Sequence, residues 1–124
     1  MNPKKTILIV DDSRLTRFML KSLLLKNYPD WEVLDAANAD EALKIVEENR
    51  VDFITLDVNM PGMDGVTLGT ELRKRFPGTP IALLTANIQQ ATQDKAKAAG
   101  LNFLPKPLNE ELILEFVANG EVTE

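Results

Sequence analysis

The 124-residue chain contains no cysteine and no histidine. The first absence excludes a disulfide framework, thiol catalysis and any Cys-based zinc site. The second excludes an imidazole general base, a Ser-His-Asp triad, a His metal ligand and a His phosphoacceptor. Chemistry is left to Asp, Glu, Lys, Ser and Thr, with a hard, oxygen-seeking cation if a metal takes part. Positive charge is also in deficit: 14 Lys and Arg face 19 Asp and Glu, a formal net of −5 with a pI near 4.8. No basic stripe offsets that balance, so nucleic acid is not an expected partner. No apolar run approaches about 18 residues, the length of a membrane span. The start, MNPKK, leads straight into a five-residue hydrophobic run and not into a signal-peptide core. A cytoplasmic location without membrane contact is expected.

What is present fits one globular domain, residues 1–124. Residues 6–10 (TILIV) form a continuous, mostly β-branched run ending abruptly at Asp11 and Asp12, the pattern of a strand buried on both faces. Residues 13–26 then read as a helix with Asp12 or Ser13 as its N-cap. Strands are predicted over 31–35, 52–56, 80–84 and 101–104, and helices over 39–49, 66–76, 88–99 and from the Asn109 cap to 118. Gly100 stops the fourth helix as its C′ residue. Strict alternation of strands and helices predicts an α/β fold with a parallel sheet covered on both faces.

In the first helix, Thr16, Met19, Leu20, Leu23 and Leu24 share one arc at about 100° per residue, which predicts the core-facing side. Leu15, Phe18 and Leu25 fall on another flank, while Arg17 and Lys21 remain polar. The fourth helix carries only Ile88 and several alanines as apolar side chains.

In an open parallel α/β sheet, ligands bind at the carboxyl ends of the strands. Those ends deliver Asp11 and Asp12 from strand one, Asp57 from strand three, Thr85 from strand four and Lys106 after strand five. Taken singly, each has a bland reading: a helix cap for Asp12 or Thr85, a solvated charge for Lys106. Taken together, three carboxylates repel one another, and Lys106 leaves the cluster about two positive charges short. Mg²⁺ would supply them. One carboxylate beside a metal, a lysine and a hydroxyl is placed to attack an electrophilic phosphorus.

These residues resemble those of a response-regulator receiver domain of the CheY type. The markers are ILIV-Asp11-Asp12, the run from Leu56-Asp57 through Asn59, Met60, Pro61 and Gly62 to Gly65, then Thr85-Ala86, and Lys106-Pro107. The resemblance covers nearly the whole chain. It implies a doubly wound (βα)5, flavodoxin-like sandwich with strand order 2-1-3-4-5. It implies that Asp57 accepts a phosphoryl group from a histidine kinase or phosphotransfer protein. Asp12, Asp57 and the Asn59 carbonyl would bind Mg²⁺ directly, and Asp11 through water. Thr85 and Lys106 would grip the phosphoryl group, and the Lys106-Pro107 bond would be cis. Ala86 and Phe103 fall at switch positions, the latter without a tyrosine hydroxyl. Asn59 and Asn87 stand at positions that tune dephosphorylation. Leu15 and Phe18, within two turns of Asp12, are candidates for docking the phosphodonor. With no effector domain after residue 119, output in trans by a monomer is expected.

Two rivals are weaker. A haloacid-dehalogenase-like phosphatase also uses a strand-terminal Asp and Mg²⁺, but needs an acid/base Asp where this chain has Asn59, and a cap domain. A flavodoxin-like cofactor binder needs a Ser/Thr/Gly phosphate loop where Asp11 and Asp12 would repel phosphate.

Overall fold

The computed structural model describes residues 4–86 and 89–120. Ten elements alternate along the chain: β1 (Thr6–Val10), α1 (Arg14–Asn27), β2 (Glu32–Ala36), α2 (Ala39–Glu48), β3 (Phe53–Asp57), α3 (Gly65–Arg75), β4 (Ile81–Thr85), α4 (Gln90–Ala98), β5 (Asn102–Pro105) and α5 (Glu110–Asn119). The strands form one parallel sheet in the order β2-β1-β3-β4-β5. Period-2 alternation sorts the strand side chains between two faces. Leu8, Val10, Ile54, Leu56, Ile81 and Leu83 pack with Ala42, Val46, Leu68 and Leu72 from α2 and α3. Ile7, Ile9, Phe53, Ala82, Leu84 and Leu104 pack with Leu20, Leu24, Ile113 and Phe116 from α1 and α5. The sheet is buried on both sides, as expected of a doubly wound, flavodoxin-like sandwich.

Four helices start on a side chain that satisfies an otherwise orphaned amide. Ser13, Asn38, Asp64 and Asn109 accept from the N–H groups of Thr16, Glu41, Thr67 and Leu112. Each cap is worth about 1 kcal/mol. The fourth helix differs: Gln89 holds its N-cap position without a side-chain capping bond, and Ala96 is its one buried residue. Its C-terminal end follows expectation, with Gly100 at φ 76° and the Leu101 N–H returned to the Ala96 carbonyl at 2.8 Å.

The structure moves several boundaries. The four later strands begin and end one residue beyond the predicted spans. Two displaced residues show why: the Trp31 N–H is committed to the Tyr28 carbonyl and that of Leu101 to Ala96. As a result Asp57 and Thr85 are the last residues of their strands. On α1, Met19 departs from the predicted core arc, being 47 % exposed, while Leu25 is partly buried against the α1/α5 core. The arc centres on Leu20 and Leu24, which puts Met19 at its rim. Leu25 lies where the end of α1 meets the start of α5, marked by a Lys26–Glu110 ion pair at 3.0 Å. Among the described residues no helix is long and apolar enough to cross a membrane.

Candidate functional site

The carboxyl edge of the sheet is laced by backbone bonds that fix the chemistry-bearing residues. The Asp11 N–H donates to the Ala36 carbonyl at 3.0 Å, that of Val58 to Leu84 at 3.2 Å, and that of Lys106 to Thr85 at 2.8 Å. These bonds tie the end of β1 to β2, of β3 to β4 and of β5 to β4, and the β1–β3 ladder joins the two sets, where the sequence places Asp11, Asp57, Thr85 and Lys106. The β3–α3 loop folds back on the same edge, with the Gly65 N–H on the Val58 carbonyl at 3.0 Å. A Cβ at Gly65 would collide with the Asp57 carbonyl oxygen, so this approach requires glycine.

Within this frame, one carboxylate oxygen from each of Asp11, Asp12 and Asp57 lies within 4.8 Å of the others. Asp11 and Asp57 are buried, Asp12 is exposed, and Thr85 is fully buried. Lys106 reaches in from the end of β5, donating from Nζ to Asp57 Oδ1 at 3.1 Å and lying 3.7 Å from Asp11 Oδ2. Asp57 Oδ1 also accepts from the Asn59 N–H at 3.4 Å. Asp11 Oδ1 accepts from the Ser13 N–H at 2.8 Å, while its buried Oδ2 has no hydrogen-bond partner among the described residues. A buried carboxylate oxygen that accepts no hydrogen bond, with only the Lys106 ammonium 3.7 Å away, is costly. Burial and the Asp11 charge push the Asp57 carboxyl above its ordinary value, and Lys106 and the Asn59 N–H only partly oppose them.

The bland readings lose ground residue by residue. Ser13 caps α1, which leaves the Asp12 carboxylate to the cluster. The N-cap of α4 is Gln89 and not Thr85. Lys106 is ion-paired. An all-carboxylate set with a buried oxygen that accepts no hydrogen bond suits a hard divalent cation and fits Mg²⁺.

The remaining candidates are spread around this centre. Asn59 and Ala86 are exposed, Phe103 is half-buried, and the Lys106-Pro107 bond is cis. Phe103 lines a cleft of about 580 Å³ between α4 and β5, together with Gln93, Lys97 and Leu101. Asn87, like Ile88, lies outside the described residues. Leu15 and Phe18 are both 67 % exposed on α1, with Met19 beside them. Reading the sequence missed Arg17, assigned only to a polar flank. Its Nη1 donates to the Asp11 carbonyl at 2.6 Å and its Nε to Asp35 Oδ2 at 2.9 Å. The sequence shows an arginine one turn past the cap, but only the β1–β2 pairing brings Asp35 beside it.

A family profile, response regulator receiver domain, matches residues 7–118. The chemotaxis protein CheY of Bacillus subtilis is 34% identical over 113 residues, covering 90% of this chain and 92% of that protein. Among solved structures, chemotaxis protein CheY4 of Vibrio cholerae superposes with a TM-score of 0.83 at 34% identity, covering 94% of this chain and 98% of that one. The response regulator TrrA of Thermotoga maritima, in complex with Mg(2+)-BeF, gives 0.82 at 33% identity with coverage of 94% and 98%. Other relatives are longer: the chain spans only 30% of a protein-glutamate methylesterase of Pyrococcus horikoshii, at 35% identity over 86% of this chain. The chain belongs to the response-regulator receiver-domain family. This membership replaces both rival readings.

Proposed function

We propose that the chain, residues 1–124, is a single-domain switch that takes a phosphoryl group on Asp57 and passes the signal to another protein in trans. The observation that carries this reading is the Asp57 carboxylate itself: buried, held by Lys106 at 3.1 Å and set against two further aspartates. The donor is the phosphohistidine of a histidine kinase or phosphotransfer protein. An Asp57 oxygen attacks phosphorus, the P–N bond breaks, and the imidazole nitrogen leaves with the electron pair. Asp11, Asp12, Asp57 and the Asn59 carbonyl would hold Mg²⁺, which when bound neutralises charge on the transferring group. Thr85 and Lys106 contact the new phosphoryl oxygens. The aspartyl phosphate carries one more negative charge than the carboxylate, and that excess draws Lys106 and Thr85 inward. Ala86, Phe103 and Pro107 respond, and the cleft beside Phe103 alters its shape towards the effector. Water, steered by the Asn59 and Asn87 amides, then hydrolyses the acyl phosphate. Leu15 and Phe18 dock the donor protein. The protein acts as a cytoplasmic monomer without contact to nucleic acid or membrane, and its only catalysis is its own phosphorylation and dephosphorylation.

The direct test is incubation with a small acyl phosphate and Mg²⁺, followed by intact mass measurement. Wild type is expected to gain one phosphoryl group, and Asp57→Asn none, because an amide cannot attack phosphorus. Equal labelling of the variant would move the acceptor elsewhere.

A further inference from the structure

Asp11 is gripped at three of its four polar positions. Its N–H is bound to Ala36 of β2, its Oδ1 takes the Ser13 N–H, and its carbonyl takes Nη1 of Arg17 at 2.6 Å. Only Oδ2 is left, on the side of Lys106. The carbonyl that Arg17 holds belongs to the peptide joining Asp11 to Asp12. Rotation of that peptide would swing the two carboxylates relative to each other. Arg17 comes from a different element, and its own side chain is 16 % exposed. Its second grip, Nε on Asp35 Oδ2 at 2.9 Å, anchors the guanidinium to β2. The guanidinium fork thus spans β1 and β2 at the edge where the carboxylates meet.

We infer that Arg17 is a positioning residue, clamping the Asp11–Asp12 peptide against Asp35 and so setting the spacing of the carboxylates for a divalent cation. This inference rests on reading the cluster as a Mg²⁺ site. Groups that orient metal ligands typically contribute about 10–100-fold in affinity. Simple electrostatics gives the opposite sign, because removing a guanidinium near the site removes a charge that repels Mg²⁺.

The test is calorimetric titration of the whole chain with Mg²⁺ at fixed ionic strength, with thermal denaturation of each metal-free variant as the control for folding. Arg17→Met removes both charge and donors, and is expected to weaken Mg²⁺ binding about tenfold or more. Arg17→Lys keeps the charge but loses the fork, and is expected to weaken it several-fold at nearly unchanged stability. Unchanged affinity in Arg17→Lys, or tighter binding in Arg17→Met, would overturn the clamp and leave a purely electrostatic neighbour. The lysine variant decides the matter if the methionine variant does not fold. If wild type itself takes up no Mg²⁺, the reading of the cluster fails and takes the clamp with it.

Discussion

Burial and the Asp11 carboxylate raise the Asp57 carboxyl above its ordinary value near 3.8, against the pull of the Lys106 ammonium and the Asn59 N–H. A carboxyl whose folded value exceeds its unfolded one binds protons more tightly in the native state. The native contribution is then most favourable below the unfolded value, and is lost as pH rises through the folded one. For the metal-free protein, stability is expected to decline from about pH 4 upward through that window. Asp57→Asn should remove this part of the decline and leave the variant more stable than wild type at neutral pH. Urea titrations in chelator across that range, followed by the fluorescence of Trp31, measure it. This indole stacks on Tyr28 and Phe53 in the core, so it reports unfolding. A neutral-pH midpoint for Asp57→Asn at or below that of wild type would refute the sign. The place of Asp57 at a strand's carboxyl end was legible in the sequence because a buried apolar run that stops at an acid marks such an end. Arg17 was not legible in the same way. A long side chain's target depends on which strand lies beside β1, and no local pattern states that.

At the level of elements, α1 and α4 depart from the rest of the helices for different reasons. The fourth helix lacks both a side-chain cap and a buried large residue, so few interactions oppose its displacement. It directly follows the segment after Thr85, where a phosphoryl group on Asp57 would act. The first helix is well capped and well anchored through Leu20 and Leu24, yet presents Leu15, Phe18 and Met19 outward. Its periodicity predicted the anchor and the Leu15–Phe18 flank. It misplaced Met19 because 100° spacing gives the centre of a buried arc more reliably than its rim, which neighbouring elements decide. If Leu15 and Phe18 dock the phosphodonor, replacing both by Ala should slow transfer from the cognate kinase at least tenfold, since buried aromatic anchors are often worth about 2 kcal/mol. Reaction with a small acyl phosphate should be unchanged, because it needs only the Asp57 centre. Stability should move by less than about 0.5 kcal/mol, as expected for exposed side chains. Equal slowing with both donors would count against docking.

Across the whole molecule, the alternation of ten elements predicted a parallel sheet, but not which strands lie side by side. Order depends on pairings remote in sequence: β1 pairs with both β2 and β3, and only then does the chain continue to β4 and β5. Resemblance to a known family supplied that order, and the structure has it. The same topology gathers three carboxylates at one edge of a chain already at net −5. A cation bound only by the folded state then stabilises the entire domain by mass action. At free Mg²⁺ about 100 times its Kd, this amounts to about 2.7 kcal/mol, which for a domain of this size raises Tm by roughly 10 °C. Added salt also screens the net charge, so the comparison must be made against NaCl at equal ionic strength. In Asp12→Ala the metal-free Tm should equal or exceed that of wild type, because an exposed carboxylate leaves a crowded cluster without opening a cavity. The Mg²⁺-specific increment should shrink to a degree or two, because one of the three carboxylates is gone. An increment as large as that of wild type would show that Mg²⁺ acts on the chain's overall charge and not at the strand ends.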